Sequence, residues 1–225
     1  LADDLGLCGI QTGNVMGFAA ELFQRGILSK DDLDGMELTW GNTEAFAQLA
    51  KKIAMREGVG DLLAEGTYRA ALKIEKMKGT NVLQYAVQSK GIGIGAHGIR
   101  SGKDFSTDIG YACSVQCGDH TSGTDLAEDG IVDEVWSVFH DSAVCCNFSG
   151  GWGLPRNLKF DLYSAVTGLN LTREQWGKGG GLKTLQIQRA LLLLGGPDLR
   201  WNPKVDDDNP ARFYEPLPSG PYKGK

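Results

Sequence analysis

Two short runs place carboxylates a few residues before thiols: Asp3-Asp4-Leu-Gly-Leu-Cys8 at one end of the chain and Asp141-Ser-Ala-Val-Cys-Cys146 far downstream. A carboxylate offers only acceptors to a ligand rich in N–H groups, and a thiolate is a soft metal or cluster ligand. The pair suggests one buried site assembled from both runs. Cys113, Cys117, His120, Cys145 and Cys146 also form a soft-donor set, whose Cys-x3-Cys-x2-His spacing could begin a zinc or iron–sulfur site. The plainer reading of Cys113 and Cys145 is that they are small buried apolar residues.

Three histidines could move protons near neutral pH. His120 lies in a loop of small residues that would let a substrate approach, whereas His140 adjoins Asp141 on an expected helix and reads as structural. His97 and Arg100 would contact an anionic group or simply sit on a solvated turn. The neighbouring run Gly91-Ile-Gly-Ile-Gly95 has the glycine density of a phosphate loop but lacks its Lys-Ser/Thr pair, and no strand is expected before it.

The elements that must position these residues are mostly helical. Val15, Phe18, Leu22 and Phe23 recur at helical spacing between Thr12 and Arg25, where Gly26 closes the helix. Asn42 or Thr43 caps a second helix, carrying Phe46, Leu49, Ala50 and Ile53 before Gly58 stops it. A third is expected from Asp61 to about Lys76, and the helical period is lost between Gly79 and Gly123.

Helix returns from about Asp129 to Phe148, with the cysteine pair at or near its end. A short helix follows near Leu158 to Thr167. Thr172-Arg-Glu-Gln175 is a capping-box pattern opening a helix to Leu194, interrupted at Gly177 to Gly181. Beyond Gly195 the Pro- and Asp-rich tail reads as an extended surface arm.

The 225 residues, 41 % of them apolar, suffice for a substantial core in one large domain or two ordinary ones. A net charge of −5 and no basic cluster argue against nucleic-acid or anionic-membrane partners. No run approaches the roughly 18 to 20 apolar residues that span a bilayer. An odd number of cysteines, clustered apart from Cys8, points to a reducing cytoplasm. The 32 glycines follow no fixed period, which indicates tight turns and excludes a solenoid. The start at Leu1 suggests part of a longer protein.

Taken together, several segments resemble the aldehyde ferredoxin oxidoreductase family, the tungsten-pterin enzymes. They are Asp4-Leu-Gly-Leu-Cys8 with Thr12-Gly-Asn-Val-Met-Gly-Phe, Gly35-Met-Glu-Leu-Thr-Trp-Gly-Asn42, Ile53-Ala-Met-Arg-Glu-Gly-Val-Gly-Asp-Leu-Leu-Ala-Glu-Gly66, Tyr111-Ala-Cys-Ser, and Arg212-Phe-Tyr-Glu-Pro-Leu-Pro. The resemblance covers nearly the whole chain and corresponds to the family's C-terminal portion.

It implies a tungsten (or molybdenum) bis-pterin and a [4Fe-4S] cluster passing electrons to ferredoxin. By similarity Asp4 and Asp141 accept hydrogen bonds from the pterins, with Leu7, Cys8 and Cys145 beside them. Cys146 is the fourth cluster ligand, and His120 is the proton carrier near the metal. The remaining cluster cysteines and the pterin-binding sheet domain would come from a missing N-terminal portion.

Two departures stand out. Cys8 occupies a position where many members have Asp, and His97-Gly-Ile-Arg100-Ser replaces the usual Tyr-Asp-Pro-Arg-Gly. The expected fold is mainly α and multihelical, with two packed all-α subdomains, 1–110 and 111–225, and a glycine-rich cofactor-lining loop region between them. The implied reaction oxidises a small-molecule aldehyde to a carboxylic acid. An aromatic acyl-CoA reductase relative and a non-catalytic scaffold subunit of the same fold are the alternatives, and homo-oligomerisation is left open.

Overall fold

The computed structural model describes residues 1–95, 108–119, 134–146, 155, 157–196 and 200–224. The fold is mainly α. Helices α1 (Gly9–Gln24), α2 (Thr43–Met55), α3 (Val59–Leu63) and α4 (Thr67–Lys78) enclose the largest core, in which Phe18, Leu22, Leu33, Leu38, Leu49, Leu63 and Ile74 are buried. Burying each such side chain contributes roughly 1.5–3 kcal/mol, which sets the register of the four helices.

Local chemistry fixes where these helices end. Asn42 caps α2 by accepting from the Ala45 N–H, as its side chain suggests. Gly26 closes α1 with φ 69°. The single helix expected from Asp61 to Lys76 is instead two, because Gly66 at φ 83° breaks the chain between α3 and α4. α3 crosses α2 at backbone contact: a Cβ at Gly60 would stand 2.2 Å from the Lys52 carbonyl.

A small hairpin follows, β1 (Gln88–Ser89) antiparallel to β2 (Ile92–Gly93), with Gln88 opposite Gly93 and Ser89 opposite Ile92. No strand is expected before the glycine run, yet β1 precedes it and β2 lies within it. Lys90 and Gly91 both take positive φ, 50° and 87°, which is the two-residue turn that suits strand twist. Helix α1 holds the hairpin through side chains. Gln11 Nε2 donates to the Gly93 carbonyl (2.8 Å), and Asn14 Nδ2 donates to those of Val87 (2.9 Å) and Ile94 (2.8 Å).

The second cluster surrounds α6 (Glu134–Ser142), whose Val135, Val138 and Phe139 face inward. Phe139 stacks on Phe160 of α7 (Leu158–Thr167) at 4.1 Å, and α7 has the bounds its sequence predicts. Thr172 and Gln175 form the expected reciprocal cap of α8 (Arg173–Gln175). The glycine-rich break is a π-helical turn, Trp176–Gly180, that continues into α9 (Gly181–Leu194). Trp176 Nε1 donates to the Val135 carbonyl at 2.8 Å, and Gly181 leaves room for that indole and for Val135.

The tail departs from its expected form. It is no extended arm: Trp201 is buried, α10 (Pro203–Asp206) follows it, and Arg212 reaches back to Glu21 on α1 at 2.5 Å. Its Phe213 packs with Ile94 and Tyr111, so the tail lies against the hairpin and against α5 (Asp108–Cys113).

Candidate functional site

Both Asp-to-Cys runs fold into the same closing turn. In the first, the Gly6 N–H donates to the Asp3 carbonyl (3.0 Å) and the Leu7 N–H to that of Ala2 (2.8 Å), with Gly6 at φ 68°. In the second, the Val144 N–H donates to Asp141 (3.3 Å) and the Cys145 N–H to His140 (2.9 Å), with Val144 at φ 55°. This double bond around a left-handed residue is the Schellman turn, which also ends α1 and α2. What is particular to the two runs is the register: an aspartate three residues before the left-handed residue and a cysteine two after it.

In that register Asp3, and not Asp4, matches Asp141; Gly6 matches Val144, Leu7 matches Cys145 and Cys8 matches Cys146. The sequence shows the same spacing of five from Asp3 to Cys8 and from Asp141 to Cys146. The signal was present, but a carboxylate at Asp4 stands beside it and obscures the alignment. The Asp4 side chain is 86 % exposed. Val144 supports the comparison from the other side, since a β-branched residue at positive φ is strained by roughly 1–3 kcal/mol.

Cys8 is exposed and opens α1. It lines a cleft of ≈ 520 Å³ with Gln11, Tyr68, Arg69, Lys90, Ile92 and Asp119. The cleft is built by close backbone approach. A Cβ on Gly93 would meet Asn14 and Gln11 at 2.7 Å, and one on Gly118 would stand 2.2 Å from the Ile92 carbonyl oxygen.

The 114–119 turn thus walls the cleft on one side, and on its other it touches the second run. Gln116 Nε2 donates to Asp141 Oδ2. The turn lies between the two runs, which do not form the buried site their sequence suggests: Asp3, Asp4, Cys8, Asp141 and Cys146 are all exposed.

Two buried polar residues hold the turn, and sequence reasoning passed over both. Glu134 Oε1 accepts from Ser114 Oγ (2.6 Å) and the Val115 N–H (2.7 Å). Lys90 Nζ donates to the carbonyls of Tyr111 (3.2 Å) and Ala112 (2.5 Å) and lies 3.3 Å from Asp207. Nothing but their burial sets them apart, and burial is a tertiary property.

The cysteines divide otherwise than expected. Cys113 is exposed and Cys145 half-buried, while Cys117 is the buried one, its thiol directed to the Val115 carbonyl at 3.6 Å. Burial pushes the Cys117 thiol up to about 11 and raises that of Cys145 as well. Among the described residues no three His, Cys, Asp or Glu side chains converge to hold a metal ion, so the Cys/His set does not form a site by itself there.

His140 Nε2 lies 2.6 Å from Lys159 Nζ, in keeping with a structural histidine. His120, His97 and Arg100 lie outside the described residues.

These thiols predict an order of reactivity. In metal-free protein at pH 8, iodoacetamide should modify Cys8, Cys113 and Cys146 well before Cys117, of which only about one part in a thousand would be thiolate. Peptide mass spectrometry over time reads the order; early labelling of Cys117 would show that its pocket is open.

The family model for aldehyde ferredoxin oxidoreductase, domains 2 and 3, matches residues 1–225. The chain is 58 % identical, over its full length, to the aliphatic sulfonate oxidoreductase, WOR-like subunit, of Pyrococcus furiosus. It is 32 % identical over its full length to the tungsten-containing aldehyde ferredoxin oxidoreductase of the same organism, and 31 % over 99 % of its length to that of Thermococcus kodakarensis.

Two mainly helical cores thus meet at a turn that borders the Cys8 cleft on one side and contacts Asp141 of the second Asp–turn–Cys motif on the other. The chain belongs to the aldehyde ferredoxin oxidoreductase family. It spans 36 to 38 % of the length of these relatives. No helix among the described residues is long and apolar enough to cross a membrane.

Proposed function

We propose that this chain is the C-terminal part of a tungsten bis-pterin, iron–sulfur oxidoreductase. The observation that carries the reading is the matched pair of Asp–turn–Cys motifs on the two sides of the 114–119 turn. The donor set fits such a group: Asp3 and Asp141 offer acceptors to pterin N–H donors, and Cys8 and Cys146 present exposed thiols.

When bound, the tungsten–pterin group supplies a two-electron redox centre at which an aldehyde and water become a carboxylic acid, releasing two protons and two electrons. Asp3 and Asp141 orient the pterins, and Leu7 and Cys145 sit at matched apolar positions beside them. Cys146 is the cluster ligand on this chain, with ferredoxin as acceptor of single electrons. His120 takes a proton from the reacting centre.

The substrate has a second reading. Identity to the relative named for aliphatic sulfonates is 58 %, against 32 % for the relative named for aldehydes, which favours a sulfonate-bearing substrate. Assays of the complete protein with aldehydes and with aliphatic sulfonates separate the two.

In the same preparation, tungsten and iron per chain should reach about one and four. His120→Ala should lower turnover roughly 100-fold with tungsten unchanged. Protein without tungsten, or His120→Ala with full turnover, would remove the metal or the histidine from the reading.

A further inference from the structure

Gln116 lies where the wall of the Cys8 cleft meets the second motif. Its backbone is fixed before and after the side chain leaves it. The Gln116 N–H donates to Ser114 Oγ at 3.0 Å, and Ser114 is held by buried Glu134. Cys117 follows at φ 65°, and Gly118 is seated against the Ile92 carbonyl.

From this turn the amide reaches Asp141, Nε2 to Oδ2 at 2.5 Å. The amide has one workable orientation there. Turned over, its oxygen would face a carboxylate oxygen, two acceptors in contact with no proton between them. With Nε2 spent on Asp141, Gln116 Oε1 is buried and has no hydrogen-bond partner among the described residues.

Resting on the assignment of Asp141 to the pterin cradle, we propose that Gln116 belongs to the cradle as a positioning residue: through Nε2 it fixes the rotamer of Asp141, so that Oδ1 is the oxygen presented to the cofactor. The first motif lacks such a partner: no hydrogen bond or ion pair reaches the Asp3 carboxylate among the described residues. The two pterins would then be held unequally, the one at Asp141 more firmly.

The test uses the complete protein with Gln116→Met, Gln116→Glu, Asp141→Asn and the Gln116→Met/Asp141→Asn double variant. Pterin and tungsten retained through dialysis against chelator are measured beside turnover and melting temperature. Gln116→Met keeps the side-chain length but removes donor and acceptor, and Gln116→Glu sets two carboxyl groups together. Each should speed cofactor loss about tenfold or more, the usual scale for a residue that orients a ligand.

In the double variant the loss should be no greater than in Asp141→Asn alone, because both side chains serve one contact. That non-additivity would not arise from a purely structural role. Retention unchanged in Gln116→Met while Asp141→Asn loses cofactor would overturn the role of Gln116 alone, as would additive losses. Retention unchanged in Asp141→Asn would overturn both assignments.

Discussion

Replacing Glu134 with alanine should lower stability by about 2–4 kcal/mol and open the cleft, whereas Glu134→Gln should cost far less. The alanine strands Ser114 Oγ–H and the Val115 N–H, two donors that now converge on one carboxyl oxygen at 2.6 and 2.7 Å. Stranded buried donors cost roughly 1–3 kcal/mol apiece, and burial of Glu134 leaves little water to replace the oxygen. Glutamine keeps an acceptor at the same atom.

For a chain of this size such a loss moves the melting temperature by roughly 10 °C. The consequence for the site is separable from the loss of stability, because Gln116 and Gly118 hang from the anchored segment. At a temperature where the variant is fully folded, cofactor retention should still fall. A Glu134→Ala protein as stable as its parent would show that the turn is held from elsewhere.

The parts of this molecule legible in its sequence are those decided by neighbours along the chain. Asn42 and the Thr172–Gln175 box announce helix starts because a cap is a bond over three residues. Gly26 announces an end for the same reason. The cores of α1, α2 and α6 follow from apolar spacing alone.

Reading failed where the deciding contact is distant. Gly66 looks like a tolerable glycine inside a helix until its φ of 83° is known, and the π-helical turn at Trp176–Gly180 follows from an indole packed on α6. The tail reads as solvated because it is rich in Pro and Asp, yet Arg212 pairs with Glu21, 191 residues earlier. The site behaves alike: its Asp and Cys residues were visible, but Gln116, Glu134 and Lys90 were ordinary polar residues until the fold buried or aimed them.

Lys90→Met should be the other severe variant, costing about 2–3 kcal/mol and detaching the tail from the cleft. The side chain of Lys90 is wholly inaccessible, and its Nζ joins three separate segments: its own hairpin, the end of α5 through two carbonyls, and the tail through Asp207. Methionine fills the volume of the stem but takes the ammonium donor from the Ala112 carbonyl and the cation from Asp207; the Tyr111 carbonyl keeps only Ser89 Oγ–H, at 3.0 Å, of its two side-chain donors.

Breaking a buried ion pair commonly costs 3–5 kcal/mol; the Asp207 side chain is 27 % exposed and regains some hydration, which brings the expected loss below that range. Asp207 also accepts from Trp201 Nε1 at 2.8 Å, so the indole loses its anchor when the carboxylate swings away. Limited proteolysis after residue 200 and quenching of Trp201 fluorescence should therefore both rise in Lys90→Met. Asp207→Asn, which retains an acceptor for both donors, should reproduce only a fraction of the effect. If the two variants were equally damaged, the net charge of the pair, and not its hydrogen bonds, would be what holds the tail.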